Sequence, residues 1–256
     1  MDYTFQFAEW QNGNRYIRAS LYIAQNPNAP WVIMCHGFTS HRIGPNYFFT
    51  GIAKHLASSG ISVNAFDFGG CGESDGSFSD ITVNSLRADL VSAYDYVKKS
   101  FSPGKILLLG HSFGGTIAVL AASSLSIDGL ILLSPLADTK KHAQSHEYIL
   151  TNGTNDTGCY EYGPHELKIA FFEELKECEP VAAIGKQVTE NIILFQGGSD
   201  QQITPEESSV YIDRARECGI EPVYHIVPGA DHRYATVSSR KFLHRAIVSW
   251  VKEQVQ

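Results

Sequence analysis

The chain has 256 residues, 43% of them hydrophobic, and a formal net charge of −7. That is enough apolar material for one substantial core, and the acidic balance argues against nucleic acid or an anionic membrane surface as the main partner. Cys35, Cys71, Cys159, Cys178 and Cys218 are widely spaced, odd in number and form no CxxC pair, which argues against a disulfide framework or a zinc knuckle. Met1 to Gln6 show no basic region followed by an apolar stretch, and no apolar segment approaches transmembrane length. The expectation is a cytoplasmic protein without integral membrane association.

The chain opens on an expected hairpin. Phe5 and Phe7 alternate with polar residues, Asn12-Gly13-Asn14 turns the chain, and Ile17 to Ala24 extends again. Short apolar runs then recur at Trp31 to Cys35, Ile61 to Phe66, Ile106 to Leu109, Gly129 to Leu133, Ile192 to Phe195 and Val223 to Val227. Runs so short and so continuous read as strands covered on both faces. The segments between them carry helical spacing: Ile52, His55 and Leu56; then Leu86, Leu90, Ala93 and Val97; then the small, apolar stretch from Ser112 to Ser123. Thr204 is the expected N-cap of a helix beginning at Pro205, and a last helix is expected from about Ser238 to Val255. Alternation of this kind predicts an α/β fold, a mostly parallel central sheet with helices on both faces and right-handed crossovers.

One stretch breaks the rhythm. Almost sixty residues separate the run ending at Leu133 from the one starting near Asn191, too many for an ordinary crossover. Its first part, Lys140 to Tyr162, is polar, and the tandem triplets from Asn152 to Thr157 mark a loop. Its second part, Glu166 to Leu175, has helical spacing of Leu167, Ala170, Phe171 and Leu175. The reading is a single domain, 1–256, with a cap inserted at 135–190.

Chemistry concentrates at strand ends. Gly110-His111-Ser112-Phe113-Gly114, followed by Gly115, lies between a strand and an Ala-rich helix, the context a G-x-S-x-G nucleophile turn requires. Side chains at the glycine positions would crowd the turn, and the helix N-terminus offers free N–H groups where negative charge develops. A serine nucleophile needs a base, and the base an acid to fix its tautomer. Asp200 follows the Ile192 to Phe195 run, and His232 follows the Val223 to Val227 run, which gives the order Ser, Asp, His. Asp231 is the rival acid, but its adjacency to His232 assigns it to the turn. The two oxyanion donors are expected to be the amides of Phe113 and of Phe38, in His36-Gly37-Phe38-Thr39 after the first apolar run. His36, at a strand end, suits loop fixation better than proton transfer. The glycines of Asp67 to Gly76 mark a tight loop without the G-x-G-x-x-G opening of a dinucleotide site. His142, His146 and His165 lack the glutamate of an H-E-x-x-H motif and read as polar residues of the insertion; no metal is expected.

Together, His36-Gly37-Phe38-Thr39, the Asp67 to Gly76 loop, Gly110 to Gly115, Ser134-Pro135, Gly197 to Asp200 and Gly229 to His232 resemble the α/β-hydrolase superfamily. Within it the chain looks most like bacterial cinnamoyl and feruloyl esterases, and beyond them monoacylglycerol-lipase and serine-aminopeptidase-like hydrolases. The resemblance implies Ser112, Asp200 and His232 as a triad, Phe38 and Phe113 as oxyanion donors, and no cofactor. It implies a serine carboxylesterase acting on small ester substrates through an acyl-enzyme, with cinnamoyl and feruloyl esters as candidates. Monoacylglycerol or thioester hydrolysis, serine aminopeptidase activity and a noncatalytic binding role are the alternatives. In the cinnamoyl branch the cap helps form a pocket for the aromatic acyl group; here it supplies Tyr148, Tyr160, Tyr162, Phe171 and Phe172. Phe113 departs from the glutamine often found after the nucleophile in that branch.

Overall fold

The computed structural model describes residues 2–185 and 188–254. Its strands are β1 (Tyr3–Asn12), β2 (Arg15–Ala24), β3 (Trp31–Cys35), β4 (Ser62–Phe66), β5 (Ile106–His111), β6 (Gly129–Leu133), β7 (Tyr160–Tyr162), β8 (His165–Leu167), β9 (Ile192–Gly197) and β10 (Val223–Val227). Its helices are α1 (Phe48–Ser58), α2 (Val83–Phe101), α3 (Phe113–Ala122), α4 (Thr139–Ser145), α5 (Glu147–Thr151), α6 (Ile169–Glu177), α7 (Pro205–Glu217) and α8 (Val237–Gln254). Val255, the expected end of the last helix, lies outside the described residues. No described helix is long and apolar enough to cross a membrane.

Eight strands form one sheet in the order β1-β2-β4-β3-β5-β6-β9-β10. The β1-β2 hairpin and the β2-β4 pair are antiparallel; every other pair in this sheet is parallel. The apolar runs are continuous because both faces of the central strands are covered. Val32 on β3 stands opposite Val63 and Leu107, and all three pack with Phe48 and Ile52 of α1 and Ile247 of α8. Ile33, one residue on, belongs to the opposite face with Leu90 of α2, Ile117 of α3 and Tyr211 of α7. This is the period-2 alternation of a strand, hidden in the sequence because neither face is wet.

β10 departs from that reading. It is the sheet edge, and Val223 and Ile226 are exposed. Phe5 and Phe7 are also exposed, on the opposite edge strand β1. The Pro205 helix starts as expected, with Thr204 Oγ1 accepting from Glu207 N–H at 3.3 Å.

The segment between β6 and β9 holds α4, α5, the two-stranded β7-β8 sheet and α6. The expected helix from Glu166 starts later than its spacing suggested. Tyr162 pairs with His165 and Tyr160 with Leu167, so Gly163-Pro164 is a two-residue turn, and the helix begins only at Ile169. Gly163 has φ +57°, the left-handed region where glycine is unstrained. Thr116 Oγ1 and Tyr211 OH both donate to the Leu136 carbonyl at 2.7 Å, and they tie the start of the segment to α3 and α7.

Candidate active site

The residues singled out in the sequence lie on loops at the carboxyl ends of the parallel strands. Ser112 follows β5, Asp200 follows β9, His232 follows β10 and Phe38 follows β3. The Ser112 backbone has φ 54° and ψ −127°, a strained conformation for a residue with a side chain. It is held there by its N–H to the Leu133 carbonyl at 2.9 Å and by Gly115 N–H to its own carbonyl at 2.9 Å. The glycines make the turn possible. A Cβ on Gly110 would lie 2.5 Å from the Gly114 carbonyl oxygen, and one on Gly114 would lie 2.3 Å from the carbonyl oxygens of Cys35 and His36. Ser134 and Tyr234, both at positive φ, buttress the neighbouring loops. Their hydroxyls lie 3.0 Å apart, and Tyr234 donates to the Phe195 carbonyl at 2.9 Å.

His232 and Asp200 meet behind this turn. His232 Nδ1 lies 2.7 Å from Asp200 Oδ2, with both side chains buried. The other carboxylate oxygen accepts the amides of Gln202 at 2.9 Å and Ile203 at 3.0 Å, and Gln196 Nε2 donates to Oδ2 at 3.3 Å. Burial pushes the Asp200 pKa up, but the His232 hydrogen bond and charge and the amides of Ile203 and Gln202 outweigh it, so the carboxyl sits below its ordinary value. An ionised Asp200 fixes the proton on Nδ1 of His232 and leaves Nε2 as a base. Ser112 and His232 line one cavity. The Ser112 hydroxyl makes no hydrogen bond among the described residues; such contacts often tighten only when substrate is bound.

The Phe38 and Phe113 amides also have no acceptor among the described residues. Phe113 N–H opens α3, where the first helical donors lack partners. The two rings meet edge to face at 5.7 Å. Asp231 is exposed and caps its own turn, accepting from Ala235 N–H at 2.8 Å.

Two buried histidines frame the site. Phe68 N–H donates to His36 Nε2 at 3.2 Å, so the ring proton is on Nδ1, which donates to the Gly37 carbonyl at 2.9 Å. That occupies both nitrogens in loop fixation. His111 Nε2 donates to the His232 backbone carbonyl at 2.8 Å and so holds the loop that carries His232. The motif treats His111 as a free position, so its role was invisible in the sequence. Burial, the largest cause in each, lowers the His36 pKa to about 4 and the His111 pKa to about 3.

Both imidazoles regain a value near 6.5 on unfolding. Their folded-state values are depressed, so the neutral rings contribute stability that is present above pH 6.5 and lost as pH falls from there toward 4. Each contributes a slope of up to about 1.4 kcal/mol per pH unit. Thermal unfolding between pH 7 and pH 5 is therefore expected to show Tm falling as acid is added. A flat Tm over that interval contradicts the assignment.

The Asp67 to Gly76 loop is organised around a buried carboxylate. Asp67 pairs with the Arg42 guanidinium and accepts the amides of Arg42 at 2.6 Å and Glu73 at 2.9 Å. A Cβ on Gly72 would strike this carboxylate. Arg42 carries no sequence motif and was not found by sequence reasoning.

The segment between β6 and β9 contributes residues to the surroundings of Ser112. Tyr162, Phe171 and Phe172 line a second, small chamber beside it, together with Phe38 and Phe113. Phe38 stacks on Phe171 at 5.0 Å and meets Tyr162 edge to face at 5.3 Å. Tyr160 does not line this chamber; it shares a strand face with Tyr162 and meets Phe172 edge to face at 6.2 Å. Tyr148 falls within α5, and its side chain lies outside the described residues. His142, read from sequence as a polar residue of the insertion, lines both cavities next to Ser112. His146 Nε2 is 3.1 Å from Tyr162 OH, and His165 packs on Phe78. A larger open cleft of about 870 Å³, between the insertion and α7, is lined by none of the residues of this site.

Comparison with known proteins agrees with this architecture. The chain is 26% identical over 206 residues to Esterase EstD of Thermotoga maritima, covering 72% of this chain and 49% of that protein, so it spans about half the length of this relative. It is 25% identical over 256 residues to the monoglyceride lipase of Mus musculus, covering 85% of this chain and 82% of the lipase. Est1E from Butyrivibrio proteoclasticus, solved with ferulic acid bound, superposes with a TM-score of 0.85 over 97% of this chain and 99% of its own, at 22% identity, a likeness of fold. The family model described as alpha/beta hydrolase fold matches residues 30–163, just over half of the chain, from β3 through the strained serine turn and into the insertion. The chain belongs to the alpha/beta hydrolase fold family.

Proposed function

We propose that this protein is a serine carboxylesterase working through an acyl-enzyme, with the segment 135–190 as its cap. The observation that carries the reading is His232, hydrogen-bonded to Asp200, in the lining of the cavity that also contains Ser112. In the proposed reaction His232 Nε2 takes the hydroxyl proton as Ser112 Oγ bonds to the ester carbonyl carbon. The carbonyl electron pair moves to oxygen, where the Phe38 and Phe113 amides hold it. Collapse breaks the carbon–alcohol bond, and the alcohol leaves with the proton from His232. Water, deprotonated by the same base, attacks the acyl-enzyme, releasing the acid and restoring Ser112. The sequence calls for no metal or organic cofactor.

Aryl-acryloyl esters, cinnamoyl and feruloyl, are the acyl class we assign. Support comes from the aromatic wall of the chamber, Phe38, Phe113, Tyr162, Phe171 and Phe172, and from the fold likeness to Est1E. The chamber is small as it stands, about 40 Å³, so an aryl group needs the surrounding rings to move. That small volume, with the similarity to monoglyceride lipase over most of both chains, favours a second reading: an aliphatic acyl group threaded between the same rings.

A hydrolysis panel of aryl-acrylate esters, short aliphatic esters, monoacylglycerols, thioesters and aminoacyl amides separates the two. The expected result is the highest kcat/KM on aryl acrylates. Turnover of aliphatic esters without cinnamate turnover removes the aryl assignment and leaves the esterase reading in place.

A further inference from the structure

The cavities on the two sides of Ser112 differ in the one residue that assigns substrate halves to them. The group that protonates the leaving alcohol is His232 in the proposed mechanism. His232 lines a cleft of about 350 Å³ and does not line the small aromatic chamber. Phe113 lines the chamber and not the cleft. The leaving oxygen must lie within reach of His232, so the alcohol half occupies the cleft and the acyl half the chamber.

The sequence carries 27 acidic against 20 basic residues, yet no aspartate or glutamate lines the cleft. Its lining histidines and arginine are His41, His111, His142, His232 and Arg233, and of these only His41 and Arg233 are exposed, beside Ser40 and Gln202. Arg15, Arg18 and Arg42 each meet a carboxylate. The Arg233 guanidinium and the His41 ring, by contrast, have neither hydrogen bond nor ion pair among the described residues.

We propose that the alcohol half of the substrate carries an anionic group, a phosphate or a carboxylate, paired with Arg233 at the mouth of the cleft and approached by His41. A guanidinium meets either group through two parallel hydrogen bonds. The cleft volume is within the ~300–1,000 Å³ range of small-molecule sites. The proposal rests on the esterase reading, since it uses His232 to tell the halves apart.

The test holds the acyl group constant and changes only the alcohol. Butanoyl esters of glycerol, glycerol phosphate and glyceric acid are compared by kcat/KM, for the wild-type chain and for Arg233→Gln and Arg233→Glu. The wild type is expected to prefer at least one anionic ester over the glycerol ester by about tenfold or more. The preference should collapse in Arg233→Gln, invert in Arg233→Glu and weaken as salt is raised. Preference for phosphate over carboxylate, or the reverse, identifies the source of the charge. A wild type that favours the neutral ester, or an anionic preference untouched in both variants, overturns the proposal. Failure of all three esters to turn over overturns it as well. Fluorophosphonate labelling of the same preparation then shows whether the esterase reading fails with it: labelled Ser112 means that only the alcohol assignment is wrong.

Discussion

Ser112→Ala is expected to lower kcat by about a million-fold, the scale of loss when a triad nucleophile is removed. The proposed covalent bond forms at Oγ, and no other hydroxyl is held in the same way. The Ser112 backbone is fixed by main-chain contacts to Leu133, Gly115 and Leu136, and its hydroxyl has no hydrogen bond among the described residues. Removing the hydroxyl therefore leaves these contacts intact. The positive φ of 54° strains alanine no more than serine. Stability should change by less than about 1 kcal/mol. The two readouts are the burst of alcohol released from an activated ester and the midpoint of denaturant unfolding. A retained burst would overturn the assignment of Ser112, and a lost fold would show that the turn depends on the hydroxyl.

The second large effect is Asp200→Asn, for which a loss of about ten-thousand-fold in kcat is expected. The reason is local and geometric. One carboxylate oxygen faces the Gln202 and Ile203 amides, both donors. The other faces His232 Nδ1 and the Gln196 amide nitrogen. An asparagine has one donor end, and placing it against the two backbone amides sets three donors against each other. The NH₂ therefore turns toward His232, where it donates to Nδ1. The imidazole proton then moves to Nε2, and the ring can no longer accept a proton from Ser112. Since the side chain keeps its shape, KM should change far less than kcat. A variant with kcat within tenfold of wild type would show that Asp200 does not set the tautomer.

The parallel sheet and the order of the site residues could be read in the sequence because both follow short-range rules. Doubly covered strands leave continuous apolar runs, and a strand-turn-helix serine leaves glycines where backbones nearly touch. Ser112, Asp200, His232, Phe38 and Phe113, the residues of the proposed site, can be named as candidates for that reason. β10 misled because Val223 and Ile226 are apolar residues on an exposed edge, and composition does not record which strand is last. Glu166 misled because the spacing of Leu167 and Phe171 suits a helix, while the Gly163-Pro164 turn pairs His165 with Tyr162. Composition does not distinguish Tyr160 from Tyr162; in the fold Tyr162 lines the chamber and Tyr160 packs on Phe172. His111, Arg42 and Arg233 were passed over because their roles depend on partners, or a lack of partners, remote in sequence. His111 meets the carbonyl of a residue 121 positions away, and no motif encodes that.

The proposed chemistry comes down to one covalent event at one oxygen. Incubation with a fluorophosphonate, followed by peptide mass spectrometry, reads it directly. The account predicts a single adduct on the peptide containing Ser112, strongly reduced in Asp200→Asn and absent in Ser112→Ala. An unlabelled wild-type protein, or an adduct carried by any other residue, would contradict it.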